Sequence, residues 1–167
     1  MSQFSKKELL IKIKEILTKN NLSLSTAESC TGGLISSYLT DIEGASQFIY
    51  QNFVTYSNDA KTCYLGVDKA VLEEFGAVSS EVAYQMSLGL LKLADCSIAT
   101  TGILGPAGGS REKPIGLVYI SLGYKDKIKV IKYISKKANT NNRHKIKKDI
   151  VRHSLYEFLN FLKNTLN

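Results

Sequence analysis

Short runs of period two alternate along this chain with longer stretches of helical period, and that alternation limits the fold more than any other feature. LSLSTA (Leu22 to Ala27) alternates as a short strand does, and FIYQNFVTY (Phe48 to Tyr56) is rich in β-branched and aromatic residues. CSIATTG (Cys96 to Gly102) reads as a short buried strand, and LVYISLGY followed by KIKVIKYIS reads as a hairpin. Around these runs, Leu9, Leu10, Ile13, Ile16 and Leu17 predict an amphipathic helix from Ser5 to Lys19, and Leu34, Ile35, Tyr38 and Leu39 share a second helical face. Shorter helical pieces are expected over 60–65 and 69–75, then a longer helix from Ser80 to Ala94 with Val82, Met86, Leu90 and Leu93 inward. From Arg143 the spacing of Ile146, Ile150, Leu155, Phe158, Leu159 and Leu162 predicts a long closing helix. Helices at both ends and between strands imply one layered α/β domain, and no repeat or linker divides the 167 residues.

Composition narrows the chemistry. With 44% apolar residues and only 2 Pro the chain has the makings of a packed core, and its formal charge of +7 would attract phosphate-bearing partners. Cys30, Cys63 and Cys96 form no CxxC pair, so neither a disulfide framework nor a thiolate zinc site is expected. The opening segment alternates charged with apolar residues, and no apolar run is long enough to span a bilayer; a soluble, cytoplasmic protein is expected. His144 and His153 stand nine residues apart on one predicted helix, on opposite faces, so they cannot share a metal, and both are expected at the surface. A Walker A loop is excluded, because no Gly-Lys-Ser/Thr closes the glycine-containing turn.

Chemistry concentrates at Ser29-Cys30-Thr31-Gly32-Gly33, a strand-to-helix turn where free backbone N–H groups can hold an anion or a developing oxyanion. The same residues also suit a simple helix cap with glycines that permit close packing. A serine nucleophile without histidine needs another base, and Lys61, just beyond the second strand, is the candidate; Cys30 is the alternative nucleophile. The loop from Gly102 to Gly116 is long for a simple connection, and its Arg111 and Lys113 could reach a phosphate or carboxylate. Arg143, Lys145, Lys147 and Lys148 cluster at the start of the closing helix, the end where the helix dipole disfavours cations; a bound anion, a nucleic-acid backbone or solvent would each offset them.

Taken in order, Ala27-Glu28-Ser29-Cys30-Thr31-Gly32-Gly33, Val54-Thr55-Tyr56-Ser57-Asn58 with Lys61, Leu65-Gly66-Val67, Gly76-Ala77-Val78-Ser79, Thr101 to Pro106, Gly108-Gly109 and Lys113 to Gly116 resemble the C-terminal domain of the CinA proteins, over nearly the whole chain. That family also occurs as free-standing nicotinamide mononucleotide deamidases. The resemblance implies a three-layer α/β/α sandwich with a mixed sheet, a homo-oligomer, and hydrolysis of nicotinamide mononucleotide to nicotinate mononucleotide and ammonia in pyridine nucleotide salvage. It implies no cofactor, no obligatory metal, no membrane partner and no nucleic acid. Carried onto this sequence, Ser29 is the nucleophile, Lys61 its base and Tyr56 a hydrogen-bonding partner of the pair. Glu28, Thr31, Gly32, Gly33, Asn58, Thr101, Gly102, Gly105, Gly108, Gly109 and Arg143 are the expected substrate-binding residues. The chain departs from the family pattern at Asn141-Asn142-Arg143, where Gly-Asp-Arg is usual, at Lys147, where Arg is usual, and at Leu104, where a small residue is usual. A related amidase with another nucleotide substrate, and a noncatalytic module linked to competence or DNA damage, are the alternative functions.

Overall fold

In the computed structural model, which describes residues 4–140 and 142–166, six helices flank one five-stranded sheet. The strands are β1 (Leu24–Glu28), β2 (Ile49–Val54), β3 (Cys96–Gly102), β4 (Leu117–Tyr124) and β5 (Lys127–Ile134), in the order β2-β1-β3-β4-β5. β2, β1 and β3 run parallel, while β3, β4 and β5 are antiparallel neighbours, so the sheet is mixed. The helices are α1 (Lys6–Lys19), α2 (Leu34–Thr40), α3 (Asn58–Leu65), α4 (Lys69–Phe75), α5 (Ser80–Leu90) and α6 (Arg143–Leu166). α1, α2 and α6 cover one face and α3, α4 and α5 the other, which gives the expected three-layer α/β/α sandwich. Asn141 lies outside the described residues. Among the described residues no helix is long and apolar enough to cross a membrane.

Local chemistry explains the element ends. Ser5 closes a capping box on α1: its hydroxyl accepts from the Glu8 N–H at 3.2 Å, and the Glu8 carboxylate accepts from the Ser5 N–H at 2.7 Å. Strand alternation sorts the two faces: Cys96 and Ile98 of β3, with Val118, Ile120 and Leu122 of β4, join the larger core under α1 and α6, and Leu104 of the following loop packs there too. Ala27 and Ala99 face α5 instead, and their small size lets that helix lie close to the sheet. α5 also lies close to α3, and Gly89 permits it, because a Cβ there would run into the Leu65 carbonyl oxygen at the end of α3.

α5 is shorter than its periodicity predicts. It ends at Leu90 instead of running to Ala94, and Leu93, expected in the core, is 42% exposed. The chain must turn here to enter β3, and Asp95 holds that turn by accepting from both the N–H and the hydroxyl of Ser23, at 2.9 and 2.6 Å. His153 also departs from expectation: it is half-buried and stacked on Tyr133 with ring centroids 3.8 Å apart, whereas His144 is exposed.

Candidate active site

The parallel strands place the candidate residues. β1 lies between β2 and β3; the connection from β1 to β2 runs through α2 on one face and that from β2 to β3 through α3, α4 and α5 on the other, so the carboxyl ends of the three strands meet at a switch point, the crevice where α/β sheets bind ligands. Register makes this specific: Glu28 is paired with Val54 on one side and Thr100 on the other, so the residues that follow all three strands emerge together. Ser29 is held by its own N–H, which donates to the Thr100 carbonyl at 3.1 Å, and the Thr55 N–H donates to the Glu28 carbonyl at 2.9 Å.

Lys61 reaches this point from α3. Ser57 caps that helix by accepting from the Ala60 N–H at 3.0 Å, and Lys61 and Leu65, one turn apart, face inward. The side chain of Lys61 is only 1% exposed, and its Nζ lies 3.3 Å from Ser29 Oγ, 2.9 Å from the Thr55 carbonyl oxygen and 3.2 Å from the Tyr56 carbonyl oxygen. Among the described residues no carboxylate pairs with it. Burial therefore lowers the Lys61 pKa below the ordinary lysine value, favouring the neutral amine that can accept a proton. Tyr56 contributes to this contact through its backbone carbonyl, not through its phenol.

The turn after β1 supplies donors. Gly32 and Gly33 adopt φ of 59° and 89°, a left-handed backbone that wraps the chain around Ser29 before α2 begins. The Gly32 N–H donates back to the Ser29 carbonyl, while the N–H groups of Thr31 and Gly33 have no acceptor among the described residues. Neither Ser29 nor Thr31 is the cap of α2; that position is Gly33, without a side-chain bond. Cys30 is buried beside them, and burial pushes its thiol up to about 12, so it is no thiolate nucleophile at neutral pH.

Cations overlook the same turn. Arg143, the first residue of α6, donates to the Gly105 carbonyl at 2.7 Å and to the Tyr56 hydroxyl at 3.0 Å, tying the loop after β3 to the end of β2. One turn on, Lys147 comes so close that a Cβ on Gly32 would stand 3.2 Å from its Nζ, and this amine has no acceptor among the described residues. The sequence presented Lys147 as one of four cations opening the closing helix and as a departure from a pattern, and its i+4 spacing from Arg143 was the signal that these two share a face.

Other expected binding residues have structural work. The Glu28 carboxylate is fully buried and points at α2, accepting from the N–H groups of Ile35 and Ser36 and from the Ser36 hydroxyl at 2.8–3.0 Å; with no side-chain cap on α2, this charge satisfies its first donors. Thr101 donates its hydroxyl to the Ala77 carbonyl at 2.6 Å, and Gly102 is small because a Cβ would stand 2.5 Å from the Leu117 carbonyl oxygen. Gly105 and Gly109 pack on Ile115, a Cβ on Gly108 would touch Ile103 at 3.9 Å, and Asn58 begins α3 at the surface. Lys113 donates to the Phe75 carbonyl at 2.8 Å, pinning the loop to the end of α4, and Arg111 is exposed.

The chain is similar to known proteins over nearly all of its length. Residues 6–162 match the CinA C-terminal domain family. The chain belongs to that family. A CinA-like protein of Fusobacterium nucleatum is 45% identical over 146 residues, which make up 87% of this chain and 35% of that protein. The chain thus spans about a third of the length of the curated relatives it matches. Among solved structures, the competence/damage inducible protein CihA from Agrobacterium tumefaciens is 42% identical with a TM-score of 0.87, covering 98% of this chain and 99% of that one. A CinA superfamily protein from Escherichia coli is 32% identical with a TM-score of 0.86, covering 93% and 89%. As a CinA domain, the chain carries its buried Ser29–Lys61 contact on the same layered fold as these proteins.

Proposed function

We propose that this CinA domain is an amidohydrolase that converts nicotinamide mononucleotide to nicotinate mononucleotide and ammonia. The observation that carries the reading is the 3.3 Å contact between Ser29 Oγ and the Nζ of a buried Lys61 that has no acidic partner among the described residues. In acylation, Ser29 Oγ attacks the carboxamide carbon as its proton passes to Lys61 Nζ, and the oxyanion is received by the N–H groups of Thr31 and Gly33. Collapse of this adduct breaks the C–N bond, and Lys61 returns the proton to the departing ammonia. Lys61 then takes a proton from water, which attacks the ester carbon; the bond to Ser29 Oγ breaks, Lys61 returns the proton to Oγ, and the pyridine carboxylic acid departs, losing its own proton to solvent.

Arg143 and Lys147, about one turn apart on α6, supply the positive field for the substrate phosphate at the rim of the crevice. A lysine at 147 keeps the charge but offers no bidentate fork, so Arg143 is the more directional of the two contacts. The reading includes a homo-oligomer in the cytoplasm, acting in pyridine nucleotide salvage without membrane or nucleic-acid partners. The test is ammonia release from nicotinamide mononucleotide by the purified chain in the presence of a chelator, with Ser29→Ala alongside. Release by the wild type and none by the folded variant is expected; equal release by both removes Ser29 from the reaction, and none by either removes this substrate.

A further inference from the structure

The basic cluster that opens α6 divides between two faces. Arg143 and Lys147 face the crevice, while Lys145, Lys148 and Arg152 stand about 150° around the helix from them at 3.6 residues per turn. These three line a separate groove of about 560 Å³ between α6 and the segment leaving β5, together with Lys136 and Lys137. Its size is that of a small-molecule site, which runs about 300–1,000 Å³.

Three features make the groove an anion site. Lys136, Lys137, Lys145 and Lys148 have no acidic partner among the described residues, although all four converge on one concavity. The acid in the groove, Asp149, is already engaged: its Oδ2 accepts from the Tyr133 hydroxyl at 2.9 Å, the Ser135 hydroxyl at 2.7 Å and the Lys136 N–H at 3.0 Å. Those bonds fix the backbone that carries Lys136 and Lys137 against α6, so the four exposed lysine side chains border one concavity. Finally, the stacked Tyr133–His153 pair and Tyr156 give the groove an aromatic wall beside the charge.

We propose that this groove is a second, noncatalytic site for a nucleotide carrying two or more phosphates, with the phosphates on the four lysines and the base against the aromatic wall. A single concavity with aromatic lining on one side and cations on the other suits a compact nucleotide better than a continuous nucleic-acid backbone, which needs an extended positive track. Because α6 bears the groove on one face and Arg143 and Lys147 on the other, occupancy is positioned to alter the crevice through a single rigid element.

Calorimetric titration of the wild-type chain with ATP, inorganic tripolyphosphate and a short single-stranded oligonucleotide tests this. Saturable ATP binding is expected, weakened about tenfold or more by Lys145→Glu with Lys148→Glu and by raised salt, and kept within about twofold by Arg143→Ala with Lys147→Ala. ATP should bind more tightly than tripolyphosphate. If Lys145→Glu with Lys148→Glu disturbs folding, Lys145→Gln with Lys148→Gln gives the same comparison with milder changes. Absence of ATP binding overturns the proposal, and loss of binding in the Arg143 and Lys147 pair transfers it to the crevice and overturns it equally. Tripolyphosphate binding as tightly as ATP removes the base from the site, and an oligonucleotide that binds more tightly than ATP and is lost with Lys145→Glu and Lys148→Glu makes the groove a nucleic-acid surface instead.

Discussion

Replacing Lys61 by methionine separates its chemical role from its structural one. The unbranched stem is kept while Nζ is lost, so the contacts of the buried chain change least. Two carbonyl oxygens, those of Thr55 and Tyr56, lose a donor, at a cost of about 1–3 kcal/mol each if nothing replaces it. Against this, the variant no longer buries an amine that prefers to be charged in water. The sign with pH follows from the lowered Lys61 pKa. Between that lowered value and the ordinary lysine value of about 10.4, the unfolded chain binds more protons than the folded one, so wild-type stability rises with pH across the window. Below the window both states are protonated and the burial penalty is fully present. Lys61→Met lacks the penalty altogether, so its stability relative to wild type should be most favourable on the acidic side and decline as pH rises. Catalysis should respond in the opposite direction: a general base contributes about 10²–10⁴-fold, and because Lys61 both takes the Ser29 proton and returns it to the departing ammonia during acylation, kcat/KM should fall by about 10³-fold. Wild-type kcat/KM should climb with pH to a plateau as the amine loses its proton, and the residual rate of the variant should lack that limb. Urea denaturation across pH and ammonia release measured in parallel read both effects. A variant within about tenfold of wild type, with its rising limb intact, would refute Lys61 as the base.

Glu28→Gln should destabilise the fold by about 2–3 kcal/mol, because the amide can accept through one oxygen only and turns an N–H₂ toward the donors at the start of α2; an unchanged urea midpoint would contradict the capping role. Thiol labelling of the native chain near neutral pH should modify Cys63 alone, since Cys63 is exposed whereas burial pushes Cys30 and Cys96 up to about 12. Labelling of two or three thiols without unfolding would show the core to be open. Gly89→Ala should cost several kcal/mol, on the order of other core overpacking at its upper end, because the new methyl meets backbone at Leu65 and not a movable side chain; thermal unfolding checks it.

The strands were legible because their signals are local. β3 spans Cys96 to Gly102 as its β-branched and small residues predict, and the hairpin falls on LVYISLGY and KIKVIKYI, one residue short of the expected KIKVIKYIS. The end of α5 was not, because the helical spacing of Leu90 and Leu93 continues past the point where Asp95 must meet Ser23, a contact between residues 72 apart in sequence. Long-range constraints of that kind override periodicity without leaving a mark in the window where periodicity is read.

The site divides along the same line. A turn rich in small hydroxyl residues and glycine after a strand announces itself, and Ser29 to Gly33 is such a turn. Glu28, one residue earlier, carries a charge that a sequence reading assigns to ligand; strand alternation sends it to the opposite purpose, because residue 28 shares a face with Leu24 and Thr26, under α2. Lys61 has no local signal as a base, being one lysine in a basic chain, yet its position four residues before Leu65 on the inner side of α3 was readable: a lysine occupying the apolar stripe of a helix is either an error of phase or a buried amine. Only the parallel pairing of β2 with β1 decides which, since it delivers α3 over the end of β1 and brings Nζ to Ser29. The proposed reaction therefore rests on a residue whose identity is local but whose protonation is tertiary: the helix selects the lysine, and its burial at the end of the sheet strips away its water.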